Sequence, residues 1–199
     1  MNRRTVFVAA AVLAIAGAQN VSAQAPLVPH PTVGILAGVN LAKVSGSDLS
    51  GASNRTGFIG GLFVTFHVAS GFGIEPEALF SMQGAKDDAD NVTLKLDYIQ
   101  VPVLLRYDFP THAPAHPYLM VGPSFGFKTQ CKIDSGSASG DCKDFDVTPK
   151  SFDMGGTAGA GIAFGKLSVS ARYTMGFSKI ADNFDVKNRV ISVLAGLAF

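Results

Sequence analysis

The chain contains no tryptophan, two cysteines and four histidines, and only 16% of its 199 residues are charged. Beyond residue 23 no apolar run approaches the roughly 20 residues a membrane-spanning helix needs, so a helical membrane protein is excluded. The net charge of +1 offers no electrostatic basis for binding nucleic acid. Neither cysteine has a histidine nearby to complete a ligand set, so no metal centre and no cofactor are expected.

Against these shortages stands a surplus of apolar residues: 47% of the chain, with 15 phenylalanines and 22 glycines. That is greasy for a soluble domain, yet there is no helical span. Alternating strands with one face toward lipid satisfy both facts. The start of the chain fits export. Arg3 and Arg4 form a basic region, Val6 to Ala18 an apolar one, and Val21-Ser22-Ala23 a small-x-small cleavage site. This is the pattern of a secretory signal peptide over residues 1–23, with the mature chain starting at Gln24. In an exported chain Cys131 and Cys142, flanking the polar KIDSGSASGD, read as a disulfide closing a loop.

Alternation and turn residues predict eight strands, at about 33–42, 57–68, 71–83, 92–109, 117–128, 152–164, 166–178 and 190–199. Most are long enough to cross a bilayer at a tilt. In the seventh, Leu167, Val169, Ala171, Tyr173, Met175 and Phe177 share one face, against Ser168, Ser170, Arg172, Thr174 and Gly176. The fourth changes parity: Leu94, Leu96 and Tyr98 lie on one phase, Ile99, Val101, Val103 and Leu105 on the other. A bulge near Tyr98 to Gln100 would reconcile them, as would a first half that protrudes beyond the membrane. Pro102 in this strand cannot donate to a ladder. The connections alternate in length. Segments 43–56, 84–91, 129–151 and 179–187 are long and polar, whereas 69–70, 110–116 and 165 are mostly shorter. That rhythm matches outer-membrane barrels, with short periplasmic turns and long external loops. The last strand, VISVLAGLAF, ends on Phe199. A free apolar edge invites aggregation, but a last strand closing on the first leaves no edge. The expectation is an all-β, eight-stranded antiparallel up-and-down barrel over 33–199, preceded by a short periplasmic segment at 24–32. Alternation alone does not say which face is inside. In a soluble lipocalin-like barrel the apolar set would point inward. The Gly-, Ser- and Thr-rich polar face would make a poor water-facing surface, and this favours lipid outside.

The stretch LDYIQVPVLLRYDF, with Tyr98, Ile99, Gln100, Val101, Pro102, Arg106 and Tyr107, resembles the central signature of the bacterial outer-membrane β-barrel domain of "porin family" proteins. The late GGTAGAGIAFGKLSVSARYTMGFSKI and the final strand resemble its closing hairpin and strand. The resemblance covers about residues 33 to 199. It implies an eight-stranded barrel in a bacterial outer membrane and no single activity. It also implies that Phe199 belongs to a terminal signal read by barrel-assembly machinery.

If the polar face lines the interior, it carries Glu75, Glu77, Arg106, Asp108, Asp153 and Arg172. A hairpin of the third and fourth strands sets Glu75 facing Arg106, and Arg172 is within reach across a narrow lumen. The expectation is an internal salt-bridge cluster that fills the interior, because an eight-stranded barrel has room for little but side chains and unpaired buried charges are costly. Of the histidines only His67 lies on a strand, and no serine with an acidic partner is placed beside it, so no catalytic residue is assigned. Asp87, Asp88, Asp90 and Asn91 in KDDADN form an acidic loop whose spacing does not match a complete calcium loop. Three functions are compatible with this reading. The first is a structural or interaction protein acting through its external loops, the second a narrow channel or carrier of small hydrophobic molecules, and the third a lipid-modifying enzyme. The first is preferred. The expected partners are outer-membrane lipid, lipopolysaccharide and the assembly machinery, with the barrel a monomer.

Overall fold

Period-two alternation runs further along the chain than the apolar pattern alone marks. The structure, a computed structural model, describes residues 31–46, 53–87, 92–135, 138–142, 151–177 and 186–199. The expected signal peptide, almost all of the 24–32 segment and the acidic residues 88–91 lie outside the described residues. Nine strands are present among them: β1 Thr32–Gly46, β2 Ser53–Ala69, β3 Phe72–Asp87, β4 Val92–Asp108, β5 Ala115–Ser135, β6 Ala138–Asp141, β7 Phe152–Phe164, β8 Leu167–Gly176 and β9 Val186–Ala198. Eight are staves. They pair in the order β4-β3-β2-β1-β9-β8-β7-β5, and β4 pairs with β5 to close the cylinder. All pairings are antiparallel. Following the partners round from Gly34 of β1 brings the path back to β1 further along, at Val44, so the strands tilt as closure requires.

Two short connections turn on glycines with positive φ, Gly71 (76°) and Gly165 (58°), a conformation that carries little steric cost only without a Cβ. At the other end the strands overshoot. A tilted strand crosses a bilayer in about 9–11 residues, whereas β2 and β4 have 17 and β5 has 21. The surplus extends toward the long loops.

There the segment read as a disulfide-closed loop is itself a hairpin. β6 pairs with β5 alone, from Lys132↔Asp141 to Ser135↔Ala138. Glycine and serine had marked it as loop. Beyond the membrane both faces of a ladder are wet, so pairing there needs no apolar alternation.

Of the two readings offered for the parity change in β4, the bulge near Tyr98 to Gln100 is not there. The β3–β4 register holds constant from Phe72↔Tyr107 to Asp87↔Val92. The irregularity lies instead in β5, where Thr129 is the extra residue between Lys128, opposite Tyr98, and Gln130, opposite Asp97. Leu96 and Tyr98 are buried and share the inward parity of Leu104 and Arg106. The parity change is therefore a change in what faces the lumen. Pro102 is also buried on this inner face, and β3–β4 partners continue on either side of it, at Leu79↔Gln100 and Pro76↔Val103.

The outward set is exposed on every stave, for example Val39, Leu62, Ile74, Leu105, Val121, Ile162, Val169 and Val193. Aromatic rings gather at two levels of this wall. Toward the short turns Tyr107 contacts Phe72 and Phe109 at centroid distances of 4.7 and 4.9 Å. Toward the long loops Phe152 lies 6.4 Å from Phe125 and 5.4 Å from Phe127. With tryptophan absent, phenylalanine forms both girdles, joined by Tyr107 at the short-turn level. The closing seam pairs β1 with β9 from Gly34↔Ala198 to Gly46↔Val186, and the Phe199 N–H donates to the Val33 carbonyl at 2.9 Å. A Cβ at Gly38 would overlap the Val193 carbonyl, so the seam needs glycine there.

Candidate functional site

The site is the barrel interior. Alternation aims Glu75 and Glu77 of β3, Arg106 and Asp108 of β4 and Arg172 of β8 into it. The register sets Arg106 opposite Gly73 and Glu75 opposite Leu104, so the facing pair expected from sequence is displaced by two residues. The long arginine spans the offset. Its Nη1 donates to Glu75 Oε2 at 3.0 Å, its Nη2 and Nε reach Asp108 at 2.9 and 3.0 Å, and its guanidinium lies 3.7 Å from the Tyr118 ring centroid. Thr65 donates to Glu75 Oε2 at 2.7 Å.

Arg172 crosses the lumen to Glu77, two strands that are not neighbours in the sheet. Its Nη1 donates to both carboxylate oxygens, at 2.6 and 2.9 Å, and its Nε to Ser170 Oγ at 3.3 Å. Glu77 is 0% and Arg172 4% exposed at the side chain, so this pair is shut away from water. The Glu75–Arg106–Asp108 triad is wetter at its far end, with Asp108 29% exposed.

Sequence reasoning missed two further layers. The first is a polar net. Asn40, fully buried, donates to Ser81 Oγ at 2.8 Å and the Met82 carbonyl at 3.2 Å, and accepts from Ser192 at 2.7 Å. Gln83 donates to Ser81 at 2.9 Å. The second is apolar. Leu36, Ile59, Phe63, Leu79 and Leu194 form one inner cluster, and Leu104, Tyr118 and Met120 another. The interior is therefore not the uniformly polar face the alternation predicted. Small residues opposite these side chains, such as Gly61 and Gly161, supply the volume. A Cβ on Gly161 would strike the Tyr118 ring.

Two cavities flank this packing. One, of about 190 Å³, opens at the short-turn end between Thr65, His67, Arg106, Asp108, Lys166 and Ser168. The other, of about 20 Å³, lies toward the long-loop end between Gln83, Tyr98, Gln100, Ser124, Asp153 and Thr174, room for about one water. They share no lining residue. Of the remaining candidates, Cys131 and Cys142 are bonded, with Cα atoms 5.6 Å apart, and continue the β5–β6 ladder just outside Lys132↔Asp141. Beside them Lys95 and Asp134 form an ion pair. His112 stands in the turn before β5 and is exposed, whereas His116 is the second residue of β5, paired with Ala163 and exposed, so His67 is not the one strand histidine that the alternation suggested. His30 lies outside the described residues.

A closed cylinder with an apolar outer wall, two aromatic girdles and its ion pairs inside is a transmembrane β-barrel. Closure leaves no stave with a free edge in lipid, where unpaired backbone groups are costly. The chain belongs to the outer membrane protein beta-barrel domain family, which matches residues 18–182. It is a protein of the bacterial outer membrane. In such barrels the short turns are periplasmic and the long loops external. The fold is similar to that of Neisserial surface protein A, with 17% identity, 84% of this chain and 97% of that one covered, and a TM-score of 0.52. It is also similar to Ail, the attachment invasion locus protein of Yersinia pestis, with 18% identity, 84% and 98% covered, and a TM-score of 0.50. At such identities the likeness is one of fold alone. No curated protein matches the sequence.

Proposed function

We propose that this barrel is a non-enzymatic scaffold that acts through the hairpins above its external rim, with an interior that is packed and does not conduct. The observation that carries this reading is the crossing of the lumen by Arg172 and Glu77, backed by the apolar cluster around Leu36, Phe63 and Leu194. A solute entering the periplasmic mouth meets Arg106, already held by Glu75 and Asp108. Moving these groups aside would leave charges unpaired in a low-dielectric space. The candidate contact surface is the disulfide-stapled β5–β6 hairpin, with Lys132 and Asp141 exposed. His67 stands on the interior wall of the mouth, away from the lipid a lipid-modifying enzyme would have to reach.

The test is conductance. Purified barrel inserted into planar bilayers is expected to give no discrete steps, and cells expressing it are expected to keep an unchanged lipid A mass spectrum. Reproducible steps would overturn the plugged-scaffold reading, and a modified lipid A would overturn the non-enzymatic one.

A further inference from the structure

The outward wall is not evenly convex. Along one row across four staves the paired outward residues are Leu119, Ala160, Ala171 and Val193. The two alanines sit side by side and make a low floor. One row nearer the periplasm Ile162 and Val169 stand taller, 44% and 54% exposed, and Phe164 forms the rim. Together they bound an open apolar groove of about 480 Å³.

We propose that this groove seats an acyl chain of an inner-leaflet phospholipid, making this wall a preferred phospholipid site on the barrel. Three observations favour that occupant. The groove lies on the face a bilayer covers, at the depth of the periplasmic aromatic level set by Phe109 and Phe164. No charged side chain lines it, so it suits a hydrocarbon chain and offers a polar partner nothing. Lys166, exposed in the turn between Phe164 and Leu167 at the edge of the mouth cavity, stands at the end of the wall where lipid headgroups lie.

The absence of tryptophan makes the test direct, because a single introduced tryptophan is the sole reporter. Full-length barrels carrying Phe164→Trp at the groove, or Phe66→Trp on the outward face of β2, away from the groove lining, are folded in detergent. They are then titrated with phosphatidylglycerol brominated on its acyl chains, and heat-modifiable gel migration checks the fold of each variant. Phe164→Trp is expected to reach half-quenching at a roughly fourfold lower lipid-to-detergent ratio, the effect of about one further buried methylene. Filling the floor with Ala160→Leu and Ala171→Leu, or with Ala160→Met alone, is expected to bring the two curves together. Lys166→Gln is expected to narrow the gap. Coincident curves for the two reporters would overturn the proposal, as would a gap that survives filling the floor. Weaker quenching at the groove together with cross-linked dimers would assign it to a second copy instead. A gap unchanged by Lys166→Gln would overturn a headgroup role for Lys166.

Discussion

Removing Glu77 alone is expected to destabilise the barrel more than any other single interior change. The carboxylate takes two hydrogen bonds from Arg172, the shorter at 2.6 Å, and neither side chain is more than 4% exposed. In Glu77→Ala the guanidinium keeps the 3.3 Å contact to Ser170 Oγ as its one direct hydrogen bond, in a site only 4% exposed. Breaking one side of a buried pair costs about 3–5 kcal/mol, a large share of the ~5–15 kcal/mol that holds a typical domain together. The pair is expensive to break and replaceable as a unit. Glu77→Leu with Arg172→Met removes both charges and keeps volume, so the double variant is expected to recover most of the loss.

The assay is urea unfolding of the barrel in phospholipid vesicles, with the folded fraction read as the fast-migrating band on unboiled gels. With a slope of about 2 kcal/mol per molar urea, the single variant's midpoint falls by roughly 1.5–2.5 M while the slope stays unchanged. A Glu77→Ala midpoint within about 0.5 M of the parent, equivalent to ~1 kcal/mol, would refute the claim that this ion pair is sealed and unsubstituted. A double variant less stable than either single would show that the interior needs the charges themselves.

Asn40→Ala strips Ser192 of its acceptor and Ser81 of a donor in a buried layer. The expected loss is about 1–3 kcal/mol in the same urea assay, and an unchanged midpoint would mean that water replaces the amide. Reduction of Cys131–Cys142 is expected to leave heat-modifiable migration intact, because the bridge joins β5 to β6 beyond the staves. Proteolytic cutting near residues 136–141 should rise, and a reduced barrel that loses its folded band would place the disulfide in the barrel's own stability. Deleting Phe199 removes one seam hydrogen bond and a ring that is 69% exposed. Refolding into vesicles should be almost unaffected, while the amount of folded barrel in the outer membrane of expressing cells should drop several-fold. Equal losses in both would argue that Phe199 acts by packing and not as an assembly signal.

How much of this was legible beforehand follows from what each face must satisfy. Lipid offers no hydrogen bonds and no charge, so every outward position meets the same demand independently of its neighbours. That demand writes a period-two code along each stave, readable in Leu167, Val169, Ala171, Tyr173 and Met175 without knowing what lies beside them. The interior works differently. There the requirement falls on sets of residues drawn from distant staves, and many combinations meet it: Arg172 with Glu77, Asn40 with Ser81 and Ser192, Leu36 with Phe63 and Leu194. None of these sets has a spacing in the chain, because their members come together only once the register is fixed. The register depends on local detail such as Thr129, a single residue inserted into β5. Leu96 and Tyr98 illustrate the consequence. Judged by the outward code they look out of phase and invite a bulge in β4. Judged by the interior they are two more buried side chains on an inner face that admits leucine as readily as arginine, provided the set around it is complete. Beyond the girdles neither rule applies. Ladders there need only their own backbone bonds, so the β5–β6 hairpin, built from glycine, serine and charge, carries no alternation to read. The part of the barrel proposed to meet partners is therefore the part whose strands a sequence conceals best.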